Sequence, residues 1–326
     1  MSPLTRRELL LSLPALAFAR KVIAQEATLR TRGLHHVTLA VSDVARSLDF
    51  YQSLFGMPVL ARHGDKILLR IGEGPLFMAL MPAGAAGPRI DHWGIAVEDY
   101  ELGRVMEVLA DKGVSRAIGG QGLSGGAMRA RISTRGGTPE VFVGDPDGLV
   151  AQLVDPRYCG GTGMLGETCG AIEAAPSRGD LALTGISHLT INVTDPAASN
   201  AFYQRVFGFD IQAYQAASPI LGVGQGSDFL MFIGSGNGGA RVNHACFYME
   251  GFDVPRVQGV LERHGIRPRE GGGAPPMAHW VSMRMPNRGG APEGTPELYF
   301  SDPDGLSIQL QDGSYCGGGG VLGSVC

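Results

Sequence analysis

The sequence predicts an α+β fold made of four β-α-β-β-β modules in two tandem pairs, and three observations carry that reading. The chain is duplicated. GLHHVTLAVSDVARSLDFYQSLFGMP at 33–58 recurs as GISHLTINVTDPAASNAFYQRVFGFD at 185–210, with 12 of 26 positions identical at an offset of 152. TPEVFVGDPDGLVAQLVD at 138–155 recurs as TPELYFSDPDGLSIQLQD at 295–312, and CGGTGMLGETC at 159–169 as CGGGGVLGSVC at 316–326. Each copy then divides again: a strand headed by histidine and followed by an acidic turn starts at His36, His92, His188 and His244. Short apolar runs with turn residues between them follow the helical patterns, as strands do.

Taken in order, the first module opens on HVTLAVSD. Asp43 can cap a helix whose apolar positions Val44, Leu48, Tyr51, Leu54 and Phe55 share a face before Gly56 ends it. In the third module Asp195-Pro196 is an N-cap followed by a proline at the first helical position. Strands are predicted at 66–71, 76–81, 140–143 and 149–154. DPDG at 145–148 and 302–305 reads as a tight turn, with Asp-Gly supplying positive φ. The organisation is a leader over 1–24, an N-terminal pair of modules over 33–170, a small, polar, Pro-containing linker over 171–184, and a C-terminal pair over 185–326.

With 44% hydrophobic and 18% charged residues, the 326-residue chain can build packed cores and is not disordered. A net charge of −4 without a long basic stretch argues against nucleic acid as a partner. No apolar run reaches the ~18 residues of a membrane span, so no membrane contact is expected of the mature form. Near the N-terminus, Thr5-Arg6-Arg7-Glu8-Leu9-Leu10-Leu11 and the apolar stretch 9–19 resemble a twin-arginine export signal. That resemblance implies cleavage before Gln25 and a periplasmic or secreted protein; the alternative is an amphipathic first helix.

Four such modules, a histidine on each first strand and the phrase Tyr299-Phe300-Ser301-Asp302-Pro303-Asp304-Gly305 resemble the vicinal oxygen chelate superfamily. That superfamily contains glyoxalase I, bleomycin-resistance proteins, fosfomycin-resistance transferases and type I extradiol dioxygenases. The resemblance covers almost the whole chain beyond the leader, and the four-module form is most similar to the extradiol dioxygenases. It implies two tandem half-barrel domains around divalent metal, with ligands from the first strand of each module and from the last strand. Carried over, these are His188, His244 and Gln309, with a possible second set in His36, His92 and Gln152. The family pattern has Glu where this chain has Gln309 and Gln152. Glu297, and Glu140 in the first half, lie two residues from the positions of Tyr299 and Phe142 and so share their strand face. Either glutamate could return a carboxylate to the site, as ligand or as general base, or could simply be a surface residue. An approximate alignment places Met78 and Met231 at the fourth ligand position, as core filler rather than ligands. The resemblance further implies that Tyr299 lines the active site. The extradiol pattern also wants a histidine shortly before that strand, where this chain has only the more distant His279.

Five cysteines remain. Cys159 with Cys169, and Cys316 with Cys326, flank glycine-rich loops and read as disulfides of an exported protein, with cross-pairing between the halves left open. Their spacing lacks the signature of structural zinc. Cys246 is left over, on the same strand face as His244. The implied activity is metal-dependent cleavage of a catechol-like or enediol-like small molecule by O₂, with Fe(II) favoured over Mn(II), Zn(II) or Cu(II). Two alternatives stand beside it. One is glyoxalase-type lyase or isomerase chemistry with Glu297 as base. The other is metal-free binding of an aromatic compound in a pocket drawn from Trp93, Trp280, Phe300 and Tyr248.

Overall fold

The computed structural model describes residues 28–326, so the leader read at 1–24 lies outside the described residues. The first half runs β1 (Thr31–Val41), α1 (Val44–Phe55), β2 (Val59–His63), β3 (Lys66–Arg70), β4 (Phe77–Pro82), β5 (Arg89–Val97), α2 (Leu102–Asp111), β6 (Ser115–Arg116), β7 (Arg129–Arg135), β8 (Thr138–Gly144) and β9 (Val150–Val154). The second half repeats it: β10 (Leu183–Val193), α3 (Pro196–Phe207), β11 (Ile211–Gln215), β12 (Ser218–Gly222), β13 (Phe229–Gly234), β14 (Arg241–Met249), α4 (Val254–Arg263), β15 (Arg267–Pro268), β16 (Ala278–Arg284), β17 (Thr295–Ser301) and β18 (Ser307–Asp312). Each half is one nine-stranded sheet, ordered β2-β3-β4-β1-β5-β9-β8-β7-β6 and β11-β12-β13-β10-β14-β18-β17-β16-β15. These are the two tandem half-barrels. The second module of each pair carries one strand more than β-α-β-β-β, because the two-residue β6 and β15 add a short parallel edge.

The local signals act as their chemistry dictates. Asp43 and Asp195 cap α1 and α3, accepting backbone N–H groups of the first turn, and Gly56 and Gly208 close the helices in the left-handed conformation. The central strands β1 and β10 are buried on both faces, so they read as nearly continuous apolar runs rather than alternating ones. One face joins a hydrophobic core that runs through both halves, including Leu39, Tyr51, Trp93, Leu189, Phe247 and Phe300. The other face lines the half-barrel and holds a smaller cluster in each half, around Phe77 and Tyr158 and around Phe229 and Tyr315.

The DPDG turns do more than reverse the chain. Asp145 and Asp302 accept the backbone N–H groups of Asp147 and Leu149, and of Asp304 and Leu306, within their own turns. Only Gly148 and Gly305 take positive φ, at 81° and 82°; the preceding aspartates do not. Those aspartates, expected to share the strained positions, reach the opposite half instead. Asp304 accepts from the Ser42 N–H at 2.8 Å, and Asp147 from the Thr194 N–H at 2.9 Å. The segment read as a linker is also pinned: Glu173 pairs with Val59 through both backbone groups, and Leu181 is buried in the core. No helix among the described residues is long and apolar enough to cross a membrane.

A third crossing joins the halves at Asp228, whose carboxylate accepts the Leu34 N–H at 3.0 Å. Burial pushes its pKa up to about 7. A carboxyl raised in the folded state gives stability that is full below its unfolded value and is lost as pH rises through about 7. Asp228→Asn keeps the acceptor and never ionises. Its melting temperature should exceed the parent's, by on the order of 1 kcal/mol of stability or more at pH 8. The margin should narrow toward pH 5; a margin independent of pH would contradict this account.

Candidate metal site in the C-terminal half-barrel

Register brings the sequence-predicted residues of the second half onto one row. His188 on β10 lies opposite Cys246 on β14, Cys246 beside Gln309 on β18, Gln309 beside Tyr299 on β17, and Tyr299 opposite Trp280 on β16. A bulge in β14 between Val242 and His244 turns His244 inward, opposite Thr190. The two imidazoles then face each other, Nε2 to Nε2 at 3.3 Å. The Asn243 Oδ1 accepts the Nδ1–H of His244 at 2.9 Å, which leaves the His244 Nε2 lone pair aimed at the space between the rings. Ser187 Oγ lies 3.1 Å from Nδ1 of His188. Phe229 stacks on the His188 ring at 4.2 Å and Tyr315 covers it at 5.6 Å. Burial drives the His188 pKa well below its ordinary value, with the charge of His244 adding to it, and brings His244 down to about 4. Both rings are therefore neutral at pH 7, the form a metal needs.

Gln309 is buried beside both rings, close enough to favour their charged forms slightly. Yet neither its amide nitrogen nor its oxygen makes a hydrogen bond of normal geometry. Among the described residues no three of histidine, cysteine, aspartate and glutamate converge as a metal-holding group. Two histidines and an unsatisfied amide do converge. A buried amide with both ends unpaired is costly unless something occupies them. This donor set, neutral N, neutral N and amide O, fits a divalent metal of the first transition row.

Glu297 does reach the interior, but it arrives paired. Arg284 Nε donates to its Oε1 at 2.8 Å, Tyr315 OH to the same oxygen at 3.1 Å, and Tyr299 OH to Oε2 at 3.3 Å. The Arg284 side chain is wholly buried and also donates to the carbonyls of Gly289 and Gly318. Glu297 thus anchors the glycine-rich tail, and it can serve as ligand or base only by giving up Arg284. Burial and the Glu297 charge push the Tyr299 phenol well above its ordinary pKa, so it is a neutral donor. It packs edge-on to His244 at 5.2 Å.

The first half holds the same residues in a different state. His36 donates from Nε2 to Gln152 Oε1 at 3.1 Å, and Thr38 Oγ1 bonds His92 Nε2 at 3.0 Å, so both ligand atoms are occupied. His92 Nδ1–H goes to Asp91 at 2.7 Å. Glu140 is held by Arg135 at 2.9 Å and by Tyr158 OH at 2.6 Å, the counterpart of the Arg284 anchor. Three aligned positions differ around the histidines: His35 for Ser187, Asp91 for Asn243 and Gly94 for Cys246. Gly94 stands where the second half has Cys246, and a Cβ there would lie 2.2 Å from the His36 ring. A side chain at that place is incompatible with the His36 ring as it lies, whereas Cys246 is accommodated beside His188.

Two expectations need correction. Met78 and Met231 are not equivalent: His36 pairs with Phe77 and His188 with Phe229, so Met231 matches Ala79. Met78 points into the main core, Met231 into the half-barrel. Of the four aromatics proposed for a pocket, Trp93 and Phe300 belong to the main core, Tyr248 to the half-barrel cluster, and Trp280 lines a cavity between the halves. The disulfides close within each tail as read from the sequence, Cys159–Cys169 and Cys316–Cys326, and the open alternative of cross-pairing is excluded. The glycine-rich tails, which carried no role in the sequence, deliver Tyr158 and Tyr315 against the histidines. Sequence reasoning missed Arg135, Arg284, Asn243 and both tail tyrosines; the repeated YCGG at 158 and 315 was the one signal available for the tyrosines.

The comparisons agree with this fold. A family model described as Glyoxalase/Bleomycin resistance protein/Dioxygenase superfamily matches residues 33–153 and again 185–310. The lactoylglutathione lyase of Escherichia coli O157:H7 is 30% identical over 139 residues, 39% of this chain and 95% of that protein. Among solved structures, the Mn(II)-bound glyoxalase from Novosphingobium aromaticivorans superposes with a TM-score of 0.61 at 17% identity, over 86% of this chain and 82% of the other. A catechol 2,3-dioxygenase superposes with a TM-score of 0.60 at 16% identity, over 87% and 88% of the two chains. Matched in both of its halves, and folded as they are, the chain belongs to the glyoxalase/bleomycin resistance/dioxygenase superfamily.

Proposed function

We propose that the C-terminal half is the working half of an extradiol-type dioxygenase. In this reading His188, His244 and Gln309 hold one divalent metal, Fe(II) first among the candidates, and the substrate is a catechol-like small molecule. The observation that carries it is the pair of neutral, facing Nε2 atoms beside an amide with both ends unsatisfied. When bound, the metal supplies Lewis acidity toward adjacent substrate oxygens and, as iron(II), reactivity with dioxygen. The chain's own groups do the rest. Asn243 orients His244, Tyr315 and Phe229 clamp His188, and the neutral Tyr299 phenol can donate to a developing oxyanion by releasing its long bond to Glu297. Export by the twin-arginine route belongs to the same proposal, and two disulfides within small loops suit an oxidising compartment.

Glyoxalase-type isomerisation is the second reading. The likeness to lactoylglutathione lyase favours it. The engagement of Glu297 by Arg284 and two phenols disfavours it, because that reaction needs a carboxylate free to carry a proton. Anaerobically prepared Fe(II) protein should consume O₂ with catechols and release ring-opened product. Turnover of the methylglyoxal–glutathione adduct without oxygen uptake would replace the first reading with the second.

A further inference from the structure

A cavity of about 610 Å³ opens where the two halves meet, and its wall is built largely from matching residues of the repeat. That volume suits one small-molecule ligand. Arg89 and Arg241 correspond, as do Asp91 and Asn243. The correspondence breaks at the second pair. The Arg89 guanidinium forms an ion pair with Asp91, while Arg241 donates only to the carbonyls of Gly238 and Gly239. The second half also adds Arg269, which lies 4.4 Å over the Trp280 ring and donates to the Gly273 carbonyl. Among the described residues neither Arg241 nor Arg269 has a carboxylate partner. With three arginines and one aspartate on its wall, the cavity carries two unmatched positive charges. Leu149 and Leu306 give it apolar surface.

The cavity adjoins the candidate metal site at three points. Asn243, on its wall, is the residue that orients His244. Trp280 stacks on Tyr299 at 5.4 Å and 6°. Ser307 precedes Gln309 by two residues on β18 and so shares its strand face.

From these observations we infer that the cavity between the halves binds the carboxylate of an aromatic acid. Arg241 and Arg269 receive the anion, and the ring lies along the apolar wall toward His244. The substrate of the proposed reaction is then an aromatic diol that also carries a carboxylate; this last step rests on the dioxygenase reading, while the anion site does not. Two guanidinium groups against an apolar wall recognise such a molecule by charge-assisted hydrogen bonds and burial together.

Binding to the metal-free protein tests the site separately from catalysis. Trp280 is the tryptophan on the cavity and Trp93 is buried in the core, so intrinsic fluorescence reports the site. Benzoate, phenylacetate and phthalate should be titrated against their uncharged amides. The carboxylates should shift the fluorescence and bind at least tenfold more tightly than the amides, and added salt should weaken them. Arg241→Met, a surface change, should reduce carboxylate binding at least tenfold. Asn243→Asp should do the same by pairing Arg241 as Asp91 pairs Arg89. Equal binding of acid and amide, unchanged binding in both variants, or no binding of any acid would overturn the proposal. Carboxylate binding without catechol turnover in the Fe(II) protein would leave the anion site standing and remove the dioxygenase reading.

Discussion

The His244→Ala protein, reconstituted anaerobically with Fe(II) or Mn(II), should hold almost no metal, whereas His92→Ala should match the parent at one metal per chain. The two histidines occupy the same place in the repeat, and only their surroundings differ. Nε2 of His244 points at Nε2 of His188, with its Nδ1–H given to Asn243. Nε2 of His92 is bonded to Thr38, and His36 is turned to Gln152. A metal would have to break bonds to Gln152 and Thr38 in the first half, but in the second only the contact of the two Nε2 atoms with each other. Because burial holds His244 down at about 4, protons compete weakly for the site above that pH. Affinity should therefore change little between pH 6 and 8. Gln309→Glu should tighten binding by supplying negative charge. Asn243→Ala should weaken it by about 10–100-fold, the usual effect of removing a partner that orients a ligand. Metal analysis after desalting reads all of these. Equal metal in His244→Ala and the parent would refute the assignment. No metal in the parent would point instead to metal-free binding of an aromatic compound.

Arg284→Met should be strongly destabilising, by about 3–5 kcal/mol in urea unfolding. The Arg284–Glu297 pair is 0% and 5% exposed at its side chains, so removing the cation strands a carboxylate in the interior. It also orphans the carbonyls of Gly289 and Gly318, and with them the hold on the tail that carries Tyr315. The corresponding pair in the first half is shallower, 26% and 10% exposed. Arg135→Met should cost distinctly less for that reason. The double variant Arg284→Met with Glu297→Leu should recover most of the loss, since a fully apolar replacement leaves no unpaired charge. A loss under about 1 kcal/mol for Arg284→Met would mean that water reaches Glu297 and that the tail is held by its disulfide alone.

Much of the candidate site was legible because duplication exposes it. Four histidines at one place in four modules, the paired glutamines and the TPE glutamates all stand out when the halves are aligned. What the alignment obscured was facing. Met78 and Met231 look alike in sequence, but a slip of one residue along a strand sends a side chain to the other face, and these two differ by that one residue. The glutamates were placed on the right strand face, yet their state was set by arginines on the neighbouring strand, which no local pattern links to them.

The sequence by itself determined the modules, their caps and turns, and the residue types offered at the site, because periodicity, Asp and Gly capping and the DPDG turns act over a few residues. Tertiary structure alone decided in which half two imidazole nitrogens face each other rather than other side chains. Register and the bulge before the second histidine are the same in both halves, so the halves part only at the neighbouring side chains: His35 for Ser187, Asp91 for Asn243 and Gly94 for Cys246. Tertiary structure likewise created the cavity between the halves, whose unmatched arginines emerge only where two copies of a repeat meet and one has exchanged an aspartate for an asparagine. These are properties of packing between distant segments, where a difference of one side chain changes which groups remain unsatisfied.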